Sequence, residues 1–297
     1  MRFLFALLSI VLLAGGAIGV NSVEQEFTCP IDGHVWKQRI ETSAKARGLR
    51  LDLRQLGDVV DPPTLPQCPN CSFPMFSDHL PEALVAHLKP FVMGQDFQFL
   101  ARKHPSYFAL AQVQEYLVAP ERNVALSYLR ASWQVEERAA LNLRLLEKAR
   151  EHFEIALRAA DERDRQVAEL ALLCGEIERR LEKWEAAAKR FRKLEASGRL
   201  NGTPQAPIVA FQLSLIERRD STPQALDGSA VAQVRRSADG GGIARQPQSL
   251  WEASGAGDGQ QGGFRLGVPA KAPEVPARPP EFPARLADPN ELALPER

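Results

Sequence analysis

Two short turns carry the residue types that could do chemistry: Phe27-Thr-Cys29-Pro-Ile-Asp32-Gly-His34 and Gln67-Cys68-Pro-Asn-Cys71-Ser72. In each, a cysteine is followed by proline and, three positions on, by a second side chain able to bind a metal. A tight turn of this spacing presents two donors to one face of a tetrahedral ion, and proline after the first cysteine favours the turn. Cys68 and Cys71 fit directly. The first turn supplies Cys29, with Asp32 where a second cysteine would usually stand. A carboxylate oxygen can bind zinc, and His34 comes within reach of a slightly wider turn. The expected ligands of a structural zinc ion are therefore Cys29, Cys68 and Cys71, closed by Asp32 or, alternatively, by His34.

Two other chemistries compete for these thiols. Cys-Pro-x-Cys also occurs in thiol oxidoreductases, so Cys68 and Cys71 could cycle between dithiol and disulfide. That use expects a strand before the motif and a helix straight after it, but Asp61-Pro-Pro-Thr-Leu-Pro66 precedes it and Ser72-Phe-Pro-Met-Phe76 follows. The other competitor is a plain structural disulfide from Cys29 to Cys68 or Cys71. The fourth cysteine, Cys174, lies on an apolar stripe and reads as a core thiol.

The elements that must position the turns follow from hydrophobic period. Between the turns, Trp36-Lys-Gln-Arg-Ile40 and the alternating Leu49-Arg-Leu-Asp-Leu53 suggest short half-buried strands. Knuckles at the ends of hairpins are the plan of a zinc ribbon, here elaborated by 38 intervening residues. After Pro81 the spacing becomes helical. Leu84, Val85, Leu88 and Val92 form one stripe, and another begins at Phe108 after the break at His104-Pro105. Leu146, Ala149, Phe153, Ala156, Leu157 and Ala160 form a third, followed by Val167, Leu170, Ala171, Cys174, Ile177 and Leu181. A last stripe runs from Trp184 through Ala187 and Phe191 to Leu194, ending at Ser197-Gly198. Trp133 precedes Ala149 and Phe153 by 16 and 20 residues, and Ala171 precedes Ala187 and Phe191 by the same offsets. A small residue lets two helices approach while an aromatic fills the groove beside it, the logic of a tetratricopeptide hairpin, and Gly175 falls where such close packing is needed.

The fold class is therefore mainly α: a small zinc-ribbon-like β module over residues 22–80, then tetratricopeptide-like antiparallel helical hairpins over 81–219. Residues 1–21 have the order of a secretory signal, with a positive start, an apolar run and small residues at Ala17-Ile-Gly19. A retained membrane anchor is the alternative. From Asp220 onward Gly, Pro, Ser and Gln replace apolar periodicity, and 220–297 reads as a disordered tail.

With Lys+Arg 37 and Asp+Glu 37, the chain has zero formal net charge, so no bulk field attracts nucleic acid or an acidic membrane surface. The densest basic cluster, Lys189-Arg-Phe-Arg-Lys193, lies in the last turns of a helix, where cations complement the dipole. His79, His87, His104 and His152 are scattered, and a solvated side chain is the default for each. No Gly-rich phosphate loop, paired-His metalloprotease signature or Gly-x-Ser-x-Gly elbow is present.

Cys29-Pro-Ile-Asp32 and Cys68-Pro-Asn-Cys71 ahead of Leu143-Arg-Leu-Leu-Glu-Lys-Ala149 and Leu173-Cys-Gly-Glu-Ile-Glu-Arg-Arg-Leu-Glu-Lys-Trp184 resemble the domain of unknown function 2225 family, over about residues 26–215. The resemblance implies paired Cys-Pro-x-Cys turns joined to tetratricopeptide-like helices, and little chemistry. Asp32 and Ser72 depart from the family's usual cysteine and glycine. Together these features lead us to expect a non-catalytic, secreted or periplasmic scaffold that meets a protein partner through its helical hairpins. It would contact no nucleic acid, and no membrane unless the N-terminal segment is kept. The alternative is an extracytoplasmic thiol-disulfide protein using Cys68 and Cys71.

Overall fold

A computed structural model describes residues 21–42, 46–77, 79–161, 166–203 and 205–226. The expected signal segment up to Val20 and the tail beyond Leu226 lie outside these residues. No helix among the described residues is long and apolar enough to cross a membrane.

The architecture is mainly helical with a small β part at the N-terminus. Strands β1 (Asn21–Thr28) and β2 (Val35–Thr42) form an antiparallel hairpin pairing Phe27 with Trp36. Those two rings stack with centroids 5.4 Å apart. A second hairpin pairs β3 (Ala46–Leu49) with β4 (Gln55–Gly57). Here the expected strand through Leu53 ends early. The alternation of Leu49, Leu51 and Leu53 is real, but the chain turns after Arg50, Leu53 takes a φ of 70°, and its amide donates to the Arg50 carbonyl at 2.9 Å. The turn serves Asp52, whose buried carboxylate needs donors from several directions.

Among the described residues eight helices follow: α1 (Glu82–Val92), α2 (Gln95–Lys103), α3 (Ser106–Tyr116), α4 (Glu121–Trp133), α5 (Ala139–Ala159), α6 (Gln166–Arg180), α7 (Trp184–Ala196) and α8 (Ala206–Glu217). Pro81, Pro105 and Pro120 stand immediately before α1, α3 and α4, where an extended proline without an N–H costs the helix nothing. From α3 on, each helix packs against the next, as short antiparallel connections require. Of the residues of the sequence repeat, Ala149, Phe153, Ala187 and Phe191 are fully buried and Trp133 is buried, while Ala171 is half-buried. Gly175 is where close approach is needed: a Cβ there would lie 2.6 Å from the Phe191 ring. Cys174 beside it is buried, as its stripe implied. Sequence periodicity marks no stripe for α2, α4 or α8, although Trp133 of the repeat ends α4.

Two features join the β part to the helices. The first is a continuous core: Cys29, Ile31, Cys68, Cys71, Phe73 and Phe76 belong to the same buried cluster as residues of α1 to α6. The second is ionic. Asp52, 1% exposed, accepts from Arg50 Nε at 3.0 Å, from Trp133 Nε1 of α4 at 3.0 Å and from Arg180 of α6 at 2.9 Å. Glu136, after α4, pairs with Arg50 at 2.6 Å and also with Arg54.

The chain past Asp220, which composition assigned to the tail, remains ordered through Leu226 and closes this junction. Arg179, fully buried, donates to the carbonyls of Asp220 and Thr222. Leu51 N donates to Gln224 O at 3.0 Å, and Leu226 N to Leu49 O at 2.8 Å. Leu226 then packs with Leu51 and with Leu215 of α8. Composition hides this strap because its few apolar residues work singly, through backbone pairing.

Removing Asp52 would take the buried counter-charge from Arg50 and Arg180 and leave them the more exposed Glu136. Loss of one partner of a buried pair costs about 3–5 kcal/mol. Asp52→Ala should therefore lower Tm by on the order of 10 °C in a thermal melt followed by circular dichroism. A Tm within about 2 °C of the parent would show that the junction does not depend on this carboxylate.

Candidate metal centre

The two cysteine turns have the same backbone design. In the first, Cys29 N donates to His34 O at 2.8 Å and Gly33 N to Cys29 O at 2.9 Å. In the second, Cys68 N donates to Phe73 O at 2.9 Å and Ser72 N to Cys68 O at 2.8 Å. The fifth position of each is left-handed, with φ 74° at Gly33 and 59° at Ser72. Ser72 thus takes the conformation for which glycine is usual. The match puts Asp32 in the first turn at the position of Cys71 in the second. The first turn caps the β1–β2 hairpin, and an isolated antiparallel bridge from Gln67 to Pro74 flanks the other.

Packing then brings the turns face to face. One donor atom from each of Cys29, Asp32, Cys68 and Cys71 lies within 4.8 Å of all the others. Cys29 Sγ and Cys71 Sγ are 3.5 Å apart, and Cys68 Sγ is 3.7 Å from both carboxylate oxygens of Asp32. Donors about 2.0–2.3 Å from a tetrahedral ion lie roughly 3.3–3.8 Å from one another, so the spacing fits a metal ion and the cluster could hold one. The three cysteines are each 1% exposed, whereas Asp32 is half-buried.

Outer contacts aim these donors. Asp32 Oδ1 accepts the His34 amide at 3.0 Å, and Oδ2 accepts from Asn70 Nδ2 at 2.9 Å. Gln98 of α2 donates to Cys71 O at 3.0 Å, and Gln67 to Ser72 O at 2.9 Å. The helical body therefore grips the second turn directly.

His34, the alternative fourth donor, is not among the converging atoms. It contributes its backbone amide to Asp32, while its exposed ring lies over Trp36 at 6.2 Å between centroids. The reason is the hairpin: His34 falls beyond the turn, next to the first residue of β2.

Electrostatics at the cluster favour anionic donors. The hydrogen bond from the Cys71 thiol lowers the Cys29 pKa against the opposing effect of burial, to about 7. Sharing that proton, with burial, pushes the Cys71 thiol strongly upward. Burial also raises Cys68. At Asp32 burial works upward, but the His34 amide, the Cys29 thiol and Asn70 outweigh it and hold the carboxyl at about 2. The site thus presents a carboxylate and, above about pH 7, one ionised sulfur, with the remaining thiol protons available for a cation to displace.

A second grouping of metal-capable residues, Glu154, Cys174 and Glu178, is already neutralised. Arg190 pairs with Glu178 at 2.6 Å, and Arg150 with Glu154 at 2.8 Å. Arg190, from the basic cluster of α7, is thereby spent within the fold.

Three histidines depart from the solvated default, the first being His87, half-buried and stacked on Tyr116 at 5.0 Å between centroids. His104 is half-buried, stacked on Phe108 at 4.3 Å. His152 of α5 meets Glu121 of α4 through Nδ1 at 2.5 Å and Glu115 of α3 through Nε2 at 3.0 Å, beneath the Tyr128 ring. Periodicity could not reveal this, because the three residues come from three helices.

No family model, curated protein or solved structure matches this chain.

Two outcomes follow. Asp32→Ala should weaken divalent-metal affinity by more than about tenfold in a chelator competition, Asn70→Ala by about tenfold through loss of an outer-shell partner, and His34→Ala hardly at all. If His34→Ala weakens binding most, the donor set is wrong. At His152, burial lowers the pKa but the bonds to Glu115 and Glu121 outweigh it, giving a net rise. Because the folded value exceeds the unfolded one of roughly 6.5, the resulting stability is complete below that pH and is lost as pH rises through the folded value. His152→Gln should therefore remove about 1–2 kcal/mol at pH about 5.5 and progressively less at higher pH. Urea titrations of parent and variant across that range measure the difference, and a pH-independent gap would exclude the doubly bonded imidazolium.

Proposed function

We propose that this protein is a non-catalytic extracytoplasmic scaffold, in which a structural zinc ion held by Cys29, Asp32, Cys68 and Cys71 fastens an N-terminal β module to a stack of helical hairpins. The observation that carries this reading is the convergence of four donors from two turns at opposite ends of a 38-residue insertion, with all three sulfurs buried. A buried ion linking distant segments closes a loop, which is what structural zinc does. Zinc suits three soft thiolates with one carboxylate at tetrahedral spacing.

The resemblance of the two cysteine turns and the helical stripes to the domain of unknown function 2225 family rests on those residues alone, and it would imply the same layout, paired knuckles ahead of tetratricopeptide-like helices. Secretion or a periplasmic location rests on the apolar N-terminal segment with its small residues. In that setting the hairpin stack would offer its surface to a protein partner. A thiol-disulfide role for Cys68 and Cys71 fits less well, because Cys71 is pushed upward and Cys68 faces Asp32. A redox nucleophile needs a lowered thiol pKa and access.

Elemental analysis of the full chain purified with zinc should find about one ion per molecule, and a strong chelator should lower Tm by several degrees. An insulin-reduction assay tests the scaffold reading directly: turnover that Cys68→Ser abolishes would replace it with the redox one.

A further inference from the structure

The contacts within the cysteine cluster are uneven. Cys29 Sγ and Cys71 Sγ, one from each turn, stand 3.5 Å apart, while Cys68 Sγ lies 3.7 Å from both carboxylate oxygens of Asp32 and also interacts with Cys71. We infer that the centre is a redox switch in which Cys29 and Cys71 form a disulfide that expels the metal ion. This inference rests on the metal reading above.

Three observations support it. First, the pair is close. The sulfurs stand 3.5 Å apart, so forming a bond of about 2.05 Å requires them to close by roughly 1.5 Å. Second, the site has one accessible side. Asp32 is the half-buried ligand, and Gly33, His34, Pro69 and Asn70 around it are exposed. The carboxylate is also the one hard donor among three soft ones. For a small oxidant to reach the buried sulfurs from that side, the carboxylate must swing away with Asn70, its exposed partner. Third, the product keeps the fold's connection. A Cys29–Cys71 bond joins the same two turns that the ion joined, so the β module stays fastened while Cys68 and Asp32 are released. A bond between Cys68 and Cys71 would close one turn on itself and leave the two turns unlinked.

The oxidant is a low-molecular-weight disulfide. The Cys29 thiolate attacks one of its sulfurs, forming a mixed disulfide and releasing one thiolate. The Cys71 thiolate then attacks Cys29 Sγ in that mixed disulfide and releases the second. Two electrons pass from the cysteine pair to the reagent, which leaves as two thiolates. The ion keeps only Cys68 and Asp32, too few donors to close a structural site, and dissociates.

The test uses the full chain, reduced, loaded with zinc and then exposed to oxidised glutathione. Released zinc is followed with a chromogenic chelator, and disulfides are mapped by peptide mass spectrometry. About one zinc should leave for each disulfide formed, the linked peptides should be those holding Cys29 and Cys71, and reduction with added zinc should restore the loaded form. A reduced chain that takes up no zinc sinks the metal reading, and the switch with it. Zinc retained under the oxidant, or a bond mapping to Cys68 and Cys71, overturns the switch while leaving the metal centre intact.

Discussion

A two-stranded hairpin cannot hold itself together in water, and the N-terminal part of this chain is built from two of them. Everything about that region answers this constraint. β1–β2 and β3–β4 are not joined in one sheet, so each must be held from outside. The first hairpin is held at its turn, by the cluster it shares with the Cys68 turn and by the core behind it. The second is held by the Asp52 junction and by the strap that ends at Leu226. In both cases the holding groups lie far away in sequence.

The two fasteners are chemically opposite. At Asp52 cations outnumber the buried anion, and Arg50, Arg180 and Trp133 converge on one carboxylate, with Glu136 supplying further negative charge at the edge. At the cysteine cluster the donors are all potential anions and the missing charge is positive. A buried set of thiols and a carboxylate within 4.8 Å of one another is costly to ionise without a cation. The shared proton between Cys29 and Cys71 partly relieves that cost, and a metal ion would relieve it fully. Gln98 and Gln67 fix the backbone of the second turn against α2, so the state of the cluster is felt by the helical body as well as by the hairpin.

The helical part is organised by steric fit rather than by charge. Gly175 admits the Phe191 ring to a distance no other residue would allow, and Ala149 and Ala187 are likewise fully buried. Several of the polar residues that enter this core do so in hydrogen-bonded sets. Arg179 with Glu176 and Gln212 is one such set; His152 with Glu115, Glu121 and Tyr128 is another.

Much of this was legible in the sequence for definite reasons. Helical spacing revealed five stripes because each helix buries one face, and a three-residue spacing in both Cys-Pro turns revealed the donors because a knuckle is a local structure. The equivalence of Asp32 and Cys71 followed from the same locality, since the turn's hydrogen bonds span only residues 29–34 and 68–73. What the tertiary structure decided was everything that depends on segments meeting. It set Asp32 rather than His34 beside the sulfurs, because β2 begins directly after the turn and carries the His34 ring away. It ended β3 at Leu49, because Asp52 is needed as an acceptor between α4 and α6. It drew residues 220–226 out of the apparent tail, because their partners are Arg179 and the Leu49–Leu51 backbone, which no local pattern could announce.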